Sequence, residues 1–339
     1  MATISDVARL ANVSVATVSR VFNGARVSDA RTRAVLAAAE QLSFTPNRAA
    51  RNLRMRRSDL IALIIPDLAN PYFTELARGV EDRVIRDGFS LVLCNTDDSK
   101  EKERSYLRIS RAQEMAGLMM VVADTVHPPA ELERLGMPVV VVDRAPDIAV
   151  DSVISANADA GRIATKSLID QGYRRIAFIG GPGYIDTASQ RRRGWMDAMS
   201  EAKGSLSTVI EVETDFKVGG GYRATLELLD RADPPEAIVA ANSLIGVGML
   251  QALTEREILP PRIGAAVIGN LPYSTLSLRN VSIVDLHEYR IGWEGAELLL
   301  DRIRGSRVEP RALIVEVGDD IGSLRSMPKQ QQEGLRGTR

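Results

Sequence analysis

From Leu60 onward, short apolar runs of strand length alternate with amphipathic helical patterns, and the alternation occurs twice along the chain. The first set of runs is LIALIIP (60–66), FSLVLCN (89–95), GLMMVVA (117–123) and PVVVVDR (138–144). The second is RIAFIGG (175–181), STVIEV (207–212), EAIVAAN (236–242) and AAVIGN (265–270). Continuous apolar strands separated by helices are the pattern of a parallel sheet buried on both faces, because each crossover helix covers the sheet it returns to. Two sets of similar size predict an α/β body of two Rossmann-like lobes with a cleft between them. None of the apolar runs approaches the roughly 20 residues that a helix needs to span a bilayer.

The first fifty residues follow a different rule. Thr3 with Asp6 three positions later is a capping-box start, and Val7, Ala8, Leu10 and Ala11 continue it as a short helix. Asn12-Val13 makes a tight connection, Ser14 is a good N-cap, a second helix is expected from about Val15 to Phe22, and Asn23-Gly24 stops it. A third helix follows Ser28. Two short helices joined by about three residues and backed by a third form a helix-turn-helix. At about 100° per residue, Val15, Ala16, Ser19 and Arg20 share one stripe of the second helix, and Val18, Val21 and Phe22 lie toward the other side. The first set is free to enter a major groove, where Arg20 can donate two hydrogen bonds to a guanine and Val15 and Ala16 can meet thymine methyls.

Charge divides the chain at the same place. Residues 1–58 carry ten arginines against Asp6, Asp29 and Glu40, a net of +7 within a chain of net charge −1. A basic head on an acidic body suits a nucleic-acid-binding module fused to a separate domain. Within the head, NRAARNLRMRRS (47–58) holds five arginines and one leucine, Leu53. On a helix, Ala49, Ala50 and Leu53 share a narrow face, with Arg48 and Arg51 away from it and Arg54 at its edge. Such a helix is too short to persist alone in water. Small residues let two copies approach closely, so that Leu53 can wedge a minor-groove step while arginines hold phosphates. The chain has one cysteine, Cys94, and two histidines, His127 and His287, so no His/Cys metal site, disulfide or cofactor is expected. The N-terminus shows no secretory pattern, and a cytoplasmic protein, nucleoid-associated when bound to DNA, is expected.

TISDVARLANVSVATVSRVFNG, followed by TPNRAARNLR, resembles the N-terminal headpiece of the LacI/GalR family of bacterial transcription regulators over about fifty residues without a gap. IIPDLANPYFTELARGVED, VVVVDR, QGYRRIAFIGGP and GGGYRATLELL resemble the core of the same family. The resemblance implies a helix-turn-helix headpiece at 1–46, a hinge helix at 47–58 whose Leu53 intercalates, and a periplasmic-binding-protein-like core at 59–325. It places lobe one at about 59–157 and 288–312 and lobe two at about 158–287 and 313–325, with three crossings between them. The polar tail 326–339 is expected to be disordered and offers no tetramerising helix. The implied function is that of a homodimeric repressor, not an enzyme, which binds a palindromic operator and answers to a small polar metabolite. Expected DNA-contacting residues are Thr3, Ser14, Val15, Ala16, Thr17, Ser19, Arg20, Asn23, Arg48, Ala49, Arg51, Leu53 and Arg54.

Matched to the family pattern, the effector-binding candidates are Tyr72, Phe73, Asp143, Thr187, Arg191, Phe216, Asn242, Asn270 and Asp285. An aromatic platform with a few directed hydrogen bonds suits a small polar ligand, and arginine suits carboxylate, phosphate or vicinal hydroxyls. Ordinary core packing competes as the explanation of Tyr72, Phe73 and Phe216. The chain departs from the family where VIGNLPYS (267–274) replaces an acidic turn, leaving Asn270 as a partial stand-in for a sugar-binding carboxylate. Ser243 replaces an acidic residue, and Asp285, Leu286 and His287 stand where a basic residue, Gln and Pro are common. These changes count against a plain sugar effector.

Two other functions fit parts of the chain. An enzyme would use IGGPGY (179–184) or GGG (219–221) as a phosphate loop, but neither has the spacing of such loops. A transporter's solute-binding protein shares the two-lobed body, yet it needs export and no basic head.

Overall fold

The computed structural model describes residues 2–22, 26–44, 58–125, 128–144, 146, 148–202, 209–271 and 280–320, without the side chains of 133, 319 and 320. It forms two compact units, Met1–Ser58 and Asp59–Arg339. Among the described residues no helix is long and apolar enough to cross a membrane.

In the first unit, α1 (Ile4–Leu10) opens with the reciprocal cap expected of Thr3 and Asp6. The Thr3 backbone N–H donates to Asp6 Oδ2 at 2.9 Å, and the Asp6 N–H donates to Thr3 Oγ1 at 3.3 Å. After a left-handed Asn12 (φ 48°), α2 (Val15–Phe22) starts where Ser14 Oγ accepts the Thr17 N–H at 3.1 Å. α3 (Asp29–Gln41) closes the triangle. Val7, Val18 and Val35 are fully buried at its centre with Ala8, Ala38 and Ala39. With so few buried side chains, the helices are held together by this one cluster, and the polar faces of α2 stay outside.

The second unit holds two six-stranded sheets. The first contains β1 (Leu60–Ile65), β2 (Ser90–Asn95), β3 (Gly117–Met120), β4 (Val139–Val142), β5 (Asp151–Ser155) and β11 (Ala312–Val315), in the order β11-β5-β4-β3-β1-β2. All its pairings are parallel. Helices α4 (Pro71–Val84), α5 (Lys100–Ala112) and α10 (Glu288–Ile303) belong to it. The second contains β6 (Ile176–Gly180), β7 (Glu211–Glu213), β8 (Ala237–Ala240), β9 (Gly264–Ile268), β10 (Val281–Asp285) and β12 (Gly318–Asp320), in the order β12-β10-β9-β8-β6-β7. Only β12 runs antiparallel to its neighbour. Its helices are α6 (Asn157–Asp170), α7 (Asp186–Glu201), α8 (Val218–Leu229) and α9 (Ser243–Glu255).

The chain passes between lobes three times: between β5 and α6, between β10 and α10, and between β11 and β12. One expected boundary moves. The strand ALIV, expected in lobe two, lies in the first sheet, with Ala312 beside Ser152 and Val315 beside Ser155. Asp151, whose side chain is 1% exposed, fixes it there. Its carboxylate accepts Arg302 Nε at 2.6 Å and Nη2 at 3.0 Å from α10, and the Arg311 backbone N–H at 2.7 Å. An edge strand one residue from a crossover has the same pattern whichever sheet receives it, and here its parallel pairing with β5 and the Arg311–Asp151 hydrogen bond hold it in the first sheet.

Paired helices pack closely through glycines. A Cβ on Gly161 of α6 would stand 2.0 Å from the Arg191 carbonyl of α7, and one on Gly194 would stand 1.8 Å from the Ala158 carbonyl. GGG (219–221) serves the same end. It lies in the first turn of α8, where a Cβ on Gly221 would meet the Ile245 carbonyl of α9 at 2.4 Å. Gly221 is therefore a helix-packing position, while Gly220 leaves room for the Thr214 and Asp215 side chains.

Candidate functional site

In open parallel sheets ligands bind beyond the carboxyl ends of the strands, and here the ends of both sheets face one cleft. The cleft contains a cavity of ≈ 160 Å³. Seven of the nine expected effector residues line it: Tyr72, Phe73, Asp143, Thr187, Arg191, Phe216 and Asn242. The other two lie off it. Asn270 is exposed, and its Oδ1 accepts the Leu271 N–H at 2.8 Å. Asp285 accepts the His287 N–H at 2.7 Å and lies 3.3 Å from His287 Nδ1.

Each lining side chain is delivered by a local rule. Asn70 caps α4 by accepting the Tyr72 N–H at 3.1 Å, and Pro71 starts the helix without needing a donor. Tyr72 and Phe73 then turn inward with rings edge-to-face at 5.0 Å, buried to 7% and 5% exposure. The Tyr72 hydroxyl has no hydrogen-bond partner among the described residues. Burial and the neighbouring Asp143 carboxylate push its phenol well above the ordinary value, so it is a hydroxyl donor at any physiological pH. Asp143 follows β4 in the left-handed region (φ 67°), a conformation that costs an L-residue about 1–3 kcal/mol and turns the chain out of the strand at the cavity. Phe216 can lie against the β6–α7 loop because Gly181 lacks the Cβ that would stand 2.2 Å from its ring. Asn242 caps α9 through its Oδ1, which accepts the Ile245 N–H at 2.8 Å.

Arg191 is the central cation. It is 5% exposed, and burial draws its guanidinium below the ordinary value against the pull of Asp143, Tyr72 and Glu288. Nε donates to Asn157 Oδ1 at 2.7 Å and Nη1 to the Ala241 carbonyl at 2.8 Å. Across the cleft, Arg144 Nη1 donates to Asp98 Oδ1 at 3.0 Å and to the Val122 carbonyl at 3.2 Å. At the mouth, Lys217 of lobe two is ion-paired to Asp67 of lobe one.

Sequence reasoning missed Arg144, although it follows Asp143 at a strand end where ligands bind. It also missed the Lys217–Asp67 bridge, which sequence cannot show because 150 residues separate the partners. Glu288 was missed too. It occupies the first turn of α10, just after the second crossover, 4% exposed and with Oε1 unpartnered. Burial, with Asp285 and Glu75 nearby, lifts its carboxyl to about 7 in spite of its own backbone N–H and Arg191.

In the first unit, Val15, Ala16 and Arg20 are exposed and Ser19 is half-buried, while Val18 is fully buried. Thr3 and Ser14 are exposed as caps, and Thr17 shares a 2.9 Å contact with the Ser14 hydroxyl. Asn23, Arg48, Ala49, Arg51, Leu53 and Arg54 lie outside the described residues. No group of three His, Cys, Asp or Glu is placed to hold a metal among the described residues.

A helix-turn-helix unit followed by a two-lobed α/β unit with a ligand-sized cavity defines a ligand-responsive DNA-binding regulator. Residues 3–47 match the model of bacterial regulatory proteins of the lacI family, and residues 58–320 match periplasmic binding proteins and the sugar-binding domain of the LacI family. The chain belongs to the LacI family of transcription regulators. It is 34% identical to the ribose operon repressor of Escherichia coli K12 over 319 residues, covering 92% of this chain and 96% of that one. It is also 34% identical to the HTH-type transcriptional repressor PurR of Glaesserella parasuis over 315 residues, covering 91% and 92%. Among solved structures, a complex of the regulator CelR with cellobiose superposes with a TM-score of 0.70 at 30% identity, over 94% of this chain and 98% of that one. The protein is accordingly a DNA-binding repressor with an effector-binding core, and not an enzyme.

Proposed function

We propose that the protein is a cytoplasmic, nucleoid-associated repressor that binds a palindromic operator as a homodimer and changes its operator affinity when a small polar metabolite, a sugar or sugar derivative, enters the cleft. The observation that carries this reading is the convergence of Tyr72, Phe73, Asp143, Thr187, Arg191, Phe216 and Asn242, drawn from both lobes, on one cavity. A ligand that contacts both lobes stabilises one relative arrangement of them, and only such differential contact can shift an equilibrium. In the headpiece, Val15, Ala16, Ser19 and Arg20 read the major groove, with Thr3, Ser14, Thr17 and Asn23 beside them. One headpiece makes few base contacts, so a two-fold pair of half-sites is needed. Leu53 wedges the minor groove between phosphate contacts from Arg48, Arg51 and Arg54, with Ala49 allowing close approach.

Electrophoretic mobility shift with DNA from upstream of the protein's own coding sequence tests the reading. A retarded band at moderate salt is expected, with mobility altered by one member of a sugar panel. Absence of any sequence-dependent retardation refutes it. Leu53→Ala is expected to lower operator affinity without altering ligand binding.

A further inference from the structure

The three crossings between the lobes meet at one place. Where the chain leaves β5, the Ala156 N–H donates to the Val315 carbonyl at 3.0 Å, which ties the first crossing to the third. The Ser155 hydroxyl donates to the Leu286 carbonyl at 3.3 Å, which ties the first to the second. At the third crossing, a Cβ on Gly318 would stand 3.1 Å from Nε2 of His287. His287 is itself left-handed (φ 56°), its N–H donates to Asp285 Oδ1 at 2.7 Å, and Glu288 follows it as the first residue of α10. A change in the relative arrangement of the lobes has to turn on these few residues, which end the elements they join. We propose that this junction is a proton-responsive hinge, in which the neutral carboxyl of Glu288 keeps the three crossings packed and its ionisation loosens them. No ligand is needed for this behaviour.

Glu288 is 4% exposed. Its Oε1 has no hydrogen-bond partner among the described residues, and its carboxyl turns back on its own backbone N–H. The charged and titratable groups around it come from each neighbouring element. They are Tyr72 and Glu75 of α4, Asp285 at the end of β10, Arg191 of α7 and the adjacent His287, with Asp143 beyond them against Tyr72 and Arg191. Asp285 and Glu75 oppose its ionisation, and Arg191 donates from Nε to Asn157 and from Nη1 to the Ala241 carbonyl. A carboxylate placed here loses its water without a side-chain donor in exchange, so the proton is held to about 7.

Water reaches Oε1 when the crossings part, and a hydrated carboxyl ionises readily. The packed junction therefore holds a proton that the parted junction releases. Packing is most favoured below the ordinary carboxyl value of 4.5, loses ground as pH rises to about 7, and is level above it. If parting restores the ordinary value, the ratio of packed to parted junctions falls by about tenfold between pH 6 and pH 8.5. A ligand that bridges the lobes acts on the same equilibrium, so protons and effector are linked through the element that moves.

Hydrogen–deuterium exchange of the full-length protein without ligand tests this, with each rate divided by the intrinsic rate at that pH. Segments 153–160 and 284–292 should lose about tenfold in protection between pH 6 and pH 8.5, while the interior strands β3 and β8 keep theirs. Glu288→Gln should hold the packed level of protection across the range. His287→Asn, which keeps a residue tolerant of the left-handed backbone, should retain the wild-type dependence on pH. Protection at the crossings that does not change with pH, or a fall of the same size in β3 and β8, overturns the proposal. So does a pH dependence that survives in Glu288→Gln or vanishes in His287→Asn.

Discussion

Replacing Glu288 with Gln should make the core more stable above neutral pH and remove part of its pH dependence. In the unfolded chain this carboxyl ionises near 4.5, whereas in the fold it keeps its proton to about 7. Between those values the folded state binds the extra proton, so stability falls as pH rises from about 4.5 to 7 and is level beyond it. A shift of this size corresponds to about 3 kcal/mol, and the group is buried enough to need no large discount for solvent screening. Gln has the same shape and cannot ionise. At pH 8.5 the variant should therefore unfold several degrees higher, since about 1 kcal/mol moves the midpoint of a domain of this size by about 2–4 °C. Near pH 5 the two proteins should nearly coincide. Thermal unfolding followed by tryptophan fluorescence suits the question, because Trp293 lies on α10 with Glu288 and Trp195 lies fully buried in the other lobe. Parallel pH–stability curves for the two proteins would refute the assignment of an uncompensated buried carboxyl.

Arg20→Ala should weaken operator binding by about 10- to 100-fold in fluorescence anisotropy and relax the choice of base at one position, whereas a purely phosphate-contacting arginine would weaken all sequences alike. Arg302→Met leaves the Asp151 carboxylate buried without its partner and should cost about 3 kcal/mol in denaturant unfolding; a loss below about 1 kcal/mol would show that the Arg311 N–H alone holds β11. Gly161→Ala forces a Cβ against the Arg191 carbonyl and should cost about 1–3 kcal/mol while also weakening effector binding through the displaced arginine; normal calorimetric titration would contradict that coupling.

Much of this molecule was legible because its signals are local. The Thr3–Asp6 cap, the Ser14 start and the Asn12 turn are each encoded within four residues, and the exposed stripe of α2 follows from helical geometry alone. The runs that form β1, β3, β4, β6, β8 and β9 could be read as strands because parallel strands buried on both faces leave little room for polar side chains, whereas the edge strands β2 and β7 are partly exposed. β5 and β10 escaped for the converse reason. Asp151, Ser152, Ser155 and Ser282 are buried in them, held by partners that sequence does not display. The site divides in the same way. Tyr72, Asp143 and Asn242 sit at strand ends and helix starts, where the alternation itself directs ligands. Asn270 and Asp285 share that kind of position and still miss the cavity; their side chains accept the Leu271 and His287 N–H groups.

By itself the sequence determined two units of opposite charge, the three helices and free face of the first, and the alternation that builds two parallel sheets in the second. Those properties depend on periodicity, capping and composition, all of which act over a few residues. Tertiary structure alone decided which sheet receives β11, that Lys217 meets Asp67 across the cleft, and that Glu288 is buried beside Arg191's charge. It also decided that Arg191 donates from Nε to Asn157 and from Nη1 to the Ala241 carbonyl. Each of these is a contact between segments tens to hundreds of residues apart, where burial and charge pairing set the outcome and no local pattern records it.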